Sequence, residues 1–210
     1  MKTRLILILS LSILISGVKA QTLPVQNLVP MKWIDTWLLC GPFPNEVSRD
    51  QSHTGLLGFE TDFLKSVGGE VKPKIKSGDV IKYSKGSAKC VLYTAPDSVI
   101  DFDNVIEEKL SMNAYAYTEI EVDESKIWLI AFSPSDGGRL WVNGEKVWEF
   151  GWPARAFEID TYIIPVYLKK GKNTILFKML TNRSILQLYA RFLPLSTGIV
   201  TGKGEEFRIT

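Results

Sequence analysis

The chain has 210 residues, 45% of them hydrophobic and 11% aromatic, with 25 Lys and Arg against 23 Asp and Glu for a formal net charge of +2. This length supplies one sizeable core or two small ones. So even a charge balance argues against a nucleic-acid partner, whose phosphates demand a concentrated basic surface.

Lys2 and Arg4 precede an apolar run, Leu5 to Ile15, broken only by Ser10 and Ser12, and Val18-Lys19-Ala20 ends it with a small-residue cleavage site. That order of parts predicts a secretory signal peptide over residues 1–20. The run is well short of the roughly 20 residues that span a bilayer, so it does not read as a membrane anchor. No Cys follows it for a lipoprotein anchor, and no later stretch is apolar enough to span. The expected product begins near Gln21, is soluble after signal removal, and is periplasmic or secreted. Three basic residues (Lys2, Arg4, Lys19) leave with the signal and no acidic one does, so +2 becomes −1.

Beyond the signal the expectation is one domain, residues 21–210, with its core over about 33–192. Trp33 to Cys40 reads as a strand ended by Gly41-Pro42-Phe43-Pro44-Asn45, where prolines interrupt a ladder. Phe59 to Val67 fits a two-turn helix with Phe59, Phe63, Leu64 and Val67 on one side and Gly68-Gly69 as its stop. The lysine-rich stretch from Lys72 to Lys89 reads as a solvated hairpin or loop rather than a binding patch. Asp103 is placed to cap a second short helix running to Leu110.

From there two-residue alternation dominates and long 3.6-residue periodicity is absent. Ala114 to Val122 puts Ala114, Ala116, Thr118, Ile120 and Val122 on one face, with Tyr115, Tyr117, Glu119 and Glu121 on the other. Ile127 to Phe132 is a continuous apolar run, as in a strand buried on both faces. Further strands are expected at Arg139–Asn143, Lys146–Phe150, Thr161–Leu168, Thr174–Leu180 and Ile185–Phe192. The turns fall at Lys169-Lys170-Gly171-Lys172-Asn173 and Thr181-Asn182-Arg183-Ser184. The fold class is all-β, a sandwich or jelly roll with one or two short helices in the N-terminal half.

Asn143-Gly144 between alternating apolar residues is the strongest local signal, a type I′ hairpin turn. Strict pairing would set Val142 opposite Glu145, Trp141 opposite Lys146, Leu140 opposite Val147 and Arg139 opposite Trp148. Leu140, Val142 and Val147 then face the core, while Arg139, Trp141, Lys146 and Trp148 share the other face, with Arg139 placed to stack on Trp148. Indoles beside polar groups suit a pyranose, which has apolar C–H faces and hydroxyls at its rim. The same indoles are equally suited to packing beneath Gly151-Trp152-Pro153-Ala154-Arg155 or the N-terminal segment, the commoner use of large aromatics.

Catalysis has little to work with. The single histidine, His53, lies in a Ser/Thr/Gly-rich stretch without ligand spacing, and two cysteines do not make a zinc site. Neither a phosphate loop nor a dinucleotide fingerprint occurs. Paired carboxylates at Asp101/Asp103, Glu107/Glu108 and Glu119/Glu121 would be needed for a small glycosidase. Each pair reads more simply as a cap, a helix surface or a strand face, so no catalytic residue is assigned. An exported chain is free to oxidise Cys40 and Cys90. Their strand-like settings, WLLC and CVLY, favour two buried thiols over a bridge.

Several of these segments together resemble a family. Trp37-Leu38-Leu39-Cys40-Gly41-Pro42-Phe43-Pro44-Asn45 is followed by Gly58-Phe59-Glu60-Thr61-Asp62-Phe63-Leu64 and by Gly68-Gly69-Glu70. Then come Ala114-Tyr115-Ala116-Tyr117, Ser135-Asp136-Gly137-Gly138-Arg139-Leu140-Trp141-Val142-Asn143-Gly144 and Leu168-Lys169-Lys170-Gly171-Lys172-Asn173. This order is similar to the galactose-binding-like jelly-roll domains of exported bacterial proteins, many from carbohydrate-processing systems of the Bacteroidetes type. The resemblance covers about Trp33 to Phe192. It implies a module ancillary to a separate catalytic domain, in a chain too short to contain one. Related lectins hold calcium through adjacent aspartates, where this chain has Ser135-Asp136, so only Asp136 carries over and no cofactor is expected. The resulting expectation is a non-catalytic carbohydrate-binding or accessory module of the bacterial envelope. Its ligand-binding residues would be Asp136, Arg139, Trp141, Trp148, Trp152 and Arg155, and its partner a carbohydrate or an envelope protein. The alternative is a structural or protein-interaction module whose aromatics are buried.

Overall fold

In the computed structural model the described residues are 21–45, 57–107, 111–151, 158–181 and 186–195, with the backbone of 199–200 and 206–207. The signal segment, His53, Trp152 and Arg155 lie outside them. The first half supplies β1 (Gln26–Asn27), β2 (Thr36–Pro44), a four-residue α1 (Leu57–Glu60), β3 (Val80–Tyr83), β4 (Gly86–Thr94) and β5 (Ile100–Asp101). The second half supplies β6 (Met112–Val122), β7 (Lys126–Pro134), β8 (Gly137–Val142), β9 (Glu145–Phe150), β10 (Tyr162–Leu168), β11 (Gly171–Thr181) and β12 (Gln187–Pro194). A minor pair, β13 (Ile199–Val200) and β14 (Glu206–Phe207), follows.

The strands form two main sheets. The larger runs β3-β4-β2-β6-β11-β8-β9 with β1 added in parallel beside β6, and the smaller runs β10-β7-β12-β5. Alternation explains how they meet. On the large sheet Leu39, Ala116, Phe177 and Leu140 form one row across four strands and face the small sheet. From the small sheet Trp128, Ile130, Phe132, Leu188, Ala190 and Phe192 fill the space between. The chain is therefore an all-β sandwich. The apolar run of β7 is buried on both sides as its composition predicts, since Leu129 and Ala131 enter a small cluster with Leu193 on the outer face.

The outer face of the large sheet carries a second apolar cluster that includes Leu38, Phe43, Tyr115, Tyr117, Trp141 and Leu176. Leu64 and Ile75, from the connection between β2 and β3, complete it from above. Residues 57–79 thus form a roof over the sheet. The expected two-turn helix is absent: α1 ends at Glu60 and a 3-10 turn occupies Lys65–Val67, with Gly68 left-handed at φ 104° as its stop. The backbone N–H groups of Leu64, in the gap, and of Glu70, beyond the turn, donate to the Asp62 carboxylate instead of to a helical carbonyl ladder. The second expected helix is a 3-10 turn, Phe102–Asn104, capped by Asp101 rather than Asp103.

Two more corrections concern β2 and the cysteines. The strand continues through Gly41-Pro42-Phe43-Pro44, because its pairing with β6 shifts register between Cys40 and Phe43 and resumes beyond the cis Gly41–Pro42 peptide. Cys40 and Cys90 are directly opposed on β2 and β4, with Cα atoms 4.1 Å apart, and form a disulfide rather than two thiols. Each lies in a strand-like run as read, but register brings the two together.

Candidate functional site

The hairpin turn forms as expected, with φ of 52° at Asn143 and 82° at Gly144, and Val142 and Trp141 pair with Glu145 and Lys146. The ladder then shifts. Leu140 pairs with Trp148 and Arg139 with Glu149, leaving Val147 as a bulge. One extra residue reverses the alternation, so Trp148 joins Leu140 on the inner face, edge-on to Phe132 at 5.0 Å and beside Tyr162 at 4.7 Å. The expected face of two indoles and two cations is therefore not assembled. Arg139 stacks on Phe59, at 4.2 Å, and not on Trp148.

The remaining expected residues divide as follows. Trp141 and Arg139 are only 5% and 7% exposed, beneath the roof. Asp136 sits between β7 and β8 and accepts a hydrogen bond from the Thr181 hydroxyl at 2.9 Å. Trp148 is half-buried. Among the described residues no group of three or more His, Cys, Asp or Glu side chains converges.

What holds the roof down is a single row across six strands: Cys90, Cys40, Tyr115, Lys178, Arg139 and Glu149. Lys178 is wholly buried. Its ammonium donates to the carbonyls of Phe59 at 2.7 Å and Thr61 at 2.6 Å and to Glu70 at 3.0 Å, which uses all three of its donors. The rings of Phe59, Phe63 and Tyr115 surround it at 5.5–5.8 Å. Burial pulls the Lys178 ammonium below its ordinary range while Glu70 pulls it back up. Tyr115 donates to the same Glu70 oxygen at 2.6 Å, and burial, then Glu70, hold its phenol well above the usual range. Arg139 donates to the Phe59 carbonyl at 2.8 Å and pairs with Glu60 at 2.7 Å and Glu149 at 3.1 Å. These cations are structural pins for residues 59–70.

The pinned segment borders a groove of about 490 Å³ between Thr61–Ser66 and the β3–β4 hairpin, lined by Thr61, Asp62, Phe63, Lys65, Lys82 and Tyr83 with Ser66 and Ser84. Its apolar part is the half-buried pair Phe63 and Tyr83, edge to face at 6.0 Å. Both rings are braced by Phe43, at 4.7 and 5.8 Å. The Phe63 N–H donates to the Tyr115 hydroxyl at 3.4 Å, so the pins and the groove share a residue. Chemically, an aromatic floor with a rim of hydroxyls and amines matches a ligand with apolar C–H faces and polar edges.

A second aromatic group lies on the outer face of the small sheet, where Trp33 meets Tyr189 at 5.5 Å. There the Arg191 guanidinium covers the Trp33 ring at 4.3 Å and pairs with Asp160, so one ring face is already occupied by the protein's own cation. Sequence reasoning missed the groove because it assigned Phe63 to a helix and the lysines to a solvated loop. The available signal was Ile81 and Tyr83 alternating with Lys82 at the end of β3.

The fold and site define an all-β sandwich with a roofed sheet and a groove at the edge of the roof. No protein-family model and no curated protein matches the chain. Partial likeness exists to solved structures of carbohydrate-associated proteins. The beta-glucosidase from Kluyveromyces marxianus in complex with glucose is 9% identical with a TM-score of 0.39, over 56% of this chain and 16% of that one. A family 35 carbohydrate binding module from Clostridium thermocellum is 14% identical with a TM-score of 0.28, over 44% of this chain and 88% of that one. A beta-glucuronidase from an uncultured Clostridium sp. is 12% identical with a TM-score of 0.39, over 82% and 31%. The chain thus spans about a sixth of the beta-glucosidase, and likeness at these levels says nothing about a ligand. Among the described residues no helix is long and apolar enough to cross a membrane.

Proposed function

We propose that the chain is a non-catalytic, exported carbohydrate-binding module whose sugar site is the groove between the roof and the β3–β4 hairpin. The observation that carries this reading is the braced Phe63–Tyr83 pair flooring a groove rimmed by Thr61, Lys65, Ser66, Lys82 and Ser84. Aromatic floors take up the C–H face of a pyranose, and rim donors and acceptors meet its hydroxyls. Export is inferred from the charged, apolar and small-residue order of residues 1–20. The Cys40–Cys90 disulfide is compatible with an oxidising compartment.

A glycan array with residues 21–210 is the test. Binding is expected, with Tyr83→Ser abolishing it and Trp148→Ala leaving it unchanged, while thermal melts confirm that both variants fold. An array without hits would overturn the reading in favour of an envelope interaction module. Turnover of aryl glycosides would overturn its non-catalytic part.

A further inference from the structure

Resting on the groove as a sugar site, we infer that the sugar it takes is anionic, a pyranose bearing a carboxylate or sulfate. Although the chain is nearly balanced overall, residues 65–89 hold seven lysines against two acids, Glu70 and Asp79. All seven lysines are exposed. Two carboxylates do not balance seven ammonium groups. Glu70 is committed to Lys178 and Tyr115 beneath the roof, and an Asp79 oxygen accepts from the Lys76 backbone N–H at 2.8 Å. Asp62, the one carboxylate of the groove, accepts from the backbone of Leu64 and Glu70. Lys65 and Lys82 line the groove on opposite sides, one from the roof and one from β3, and neither has an ion-pair partner among the described residues. A neutral sugar would leave this field unanswered. An anionic one places its charge between two ammonium groups while its ring rests on Phe63 and Tyr83.

Calorimetric titration with oligogalacturonate and with its methyl ester tests this, because the two differ in charge at the same ring. A sulfated galactan and its unsulfated parent form the second pair. In at least one pair the charged member is expected to bind about five- to tenfold more tightly, and the pair that responds identifies the anionic group. The difference should shrink between about 50 mM and about 500 mM NaCl. Lys65→Gln with Lys82→Gln should remove it, bringing the charged and neutral members of the responding pair to the same affinity. Equal affinity within both pairs would overturn the anionic inference and leave the sugar site standing, whereas no binding of any of the four would overturn both. Displacement of the charged saccharide by duplex DNA of matched charge would also overturn the inference, since charge alone would then explain binding.

Discussion

At the scale of single residues, the outer face of the large sheet depends on groups whose proton states are fixed by burial. Tyr117 behaves like Tyr115: burial, then its hydrogen bond to Glu119, holds its phenol far above the ordinary range. In the unfolded chain both phenols ionise near pH 10. Above that pH the unfolded state has shed protons that the folded state retains, so stability falls as pH rises. Lys178 acts with the opposite sign. Its folded pKa is depressed, so between that folded value and about pH 10.4 the unfolded chain keeps a proton the folded chain releases, and stability climbs with pH in that window. The expected profile, from urea midpoints between about pH 8 and about pH 11, is a rise followed by a fall. Tyr117→Phe should make the fall shallower and leave the rise intact. An unchanged alkaline limb in that variant would show that Tyr117 does not govern it.

At the scale of elements, the β8–β9 hairpin separates what local sequence determines from what it does not. Asn143-Gly144 specifies the turn because both positions need positive φ, and it fixes the first two pairs. The bulge at Val147 has no local marker. It exists because Trp148 finds its volume against Phe132 of β7 and Tyr162 of β10, which lie on either side of the hairpin in the chain. Likewise the composition of β2 signals a break at Gly41 but not that pairing resumes beyond it. Gly144 also meets the roof: a Cβ there would lie 2.4 Å from the Val71 carbonyl. Gly144→Ala should therefore destabilise by about 2–3 kcal/mol. Gly171→Ala, at φ 88° with nothing within 4 Å, should cost only about 1 kcal/mol. Comparable thermal shifts for the two would mean that the contact with Val71 is without weight.

At the scale of the whole molecule, the sandwich was legible because period-two alternation is written into strands such as β6 of the second half, and β7 stands out as a continuous apolar run. The roof was not. Its regular structure is minimal, and its position is set by Lys178 and Arg139 on distant strands, which local patterning does not connect to residues 59–70. The candidate site inherits that difficulty, since its floor joins Phe63 of the roof to Tyr83 of β3. The face expected on β8 and β9 shares with the groove only its residue types, aromatic and cationic.

The disulfide gives this arrangement a topological property. Cys40 and Cys90 are 50 positions apart, and the covalent ring they close contains the entire roof, β3 and the groove. A backbone cut within that ring severs the chain without releasing either piece. Brief trypsin treatment at the exposed Lys74 or Lys76 should leave one band of full mass on a non-reducing gel and two after reduction. Separation without reductant would mean that the ring is open. In surroundings rich in peptidases, a protein closed in this way tolerates a nick in its roof and still carries the roof and the groove with it.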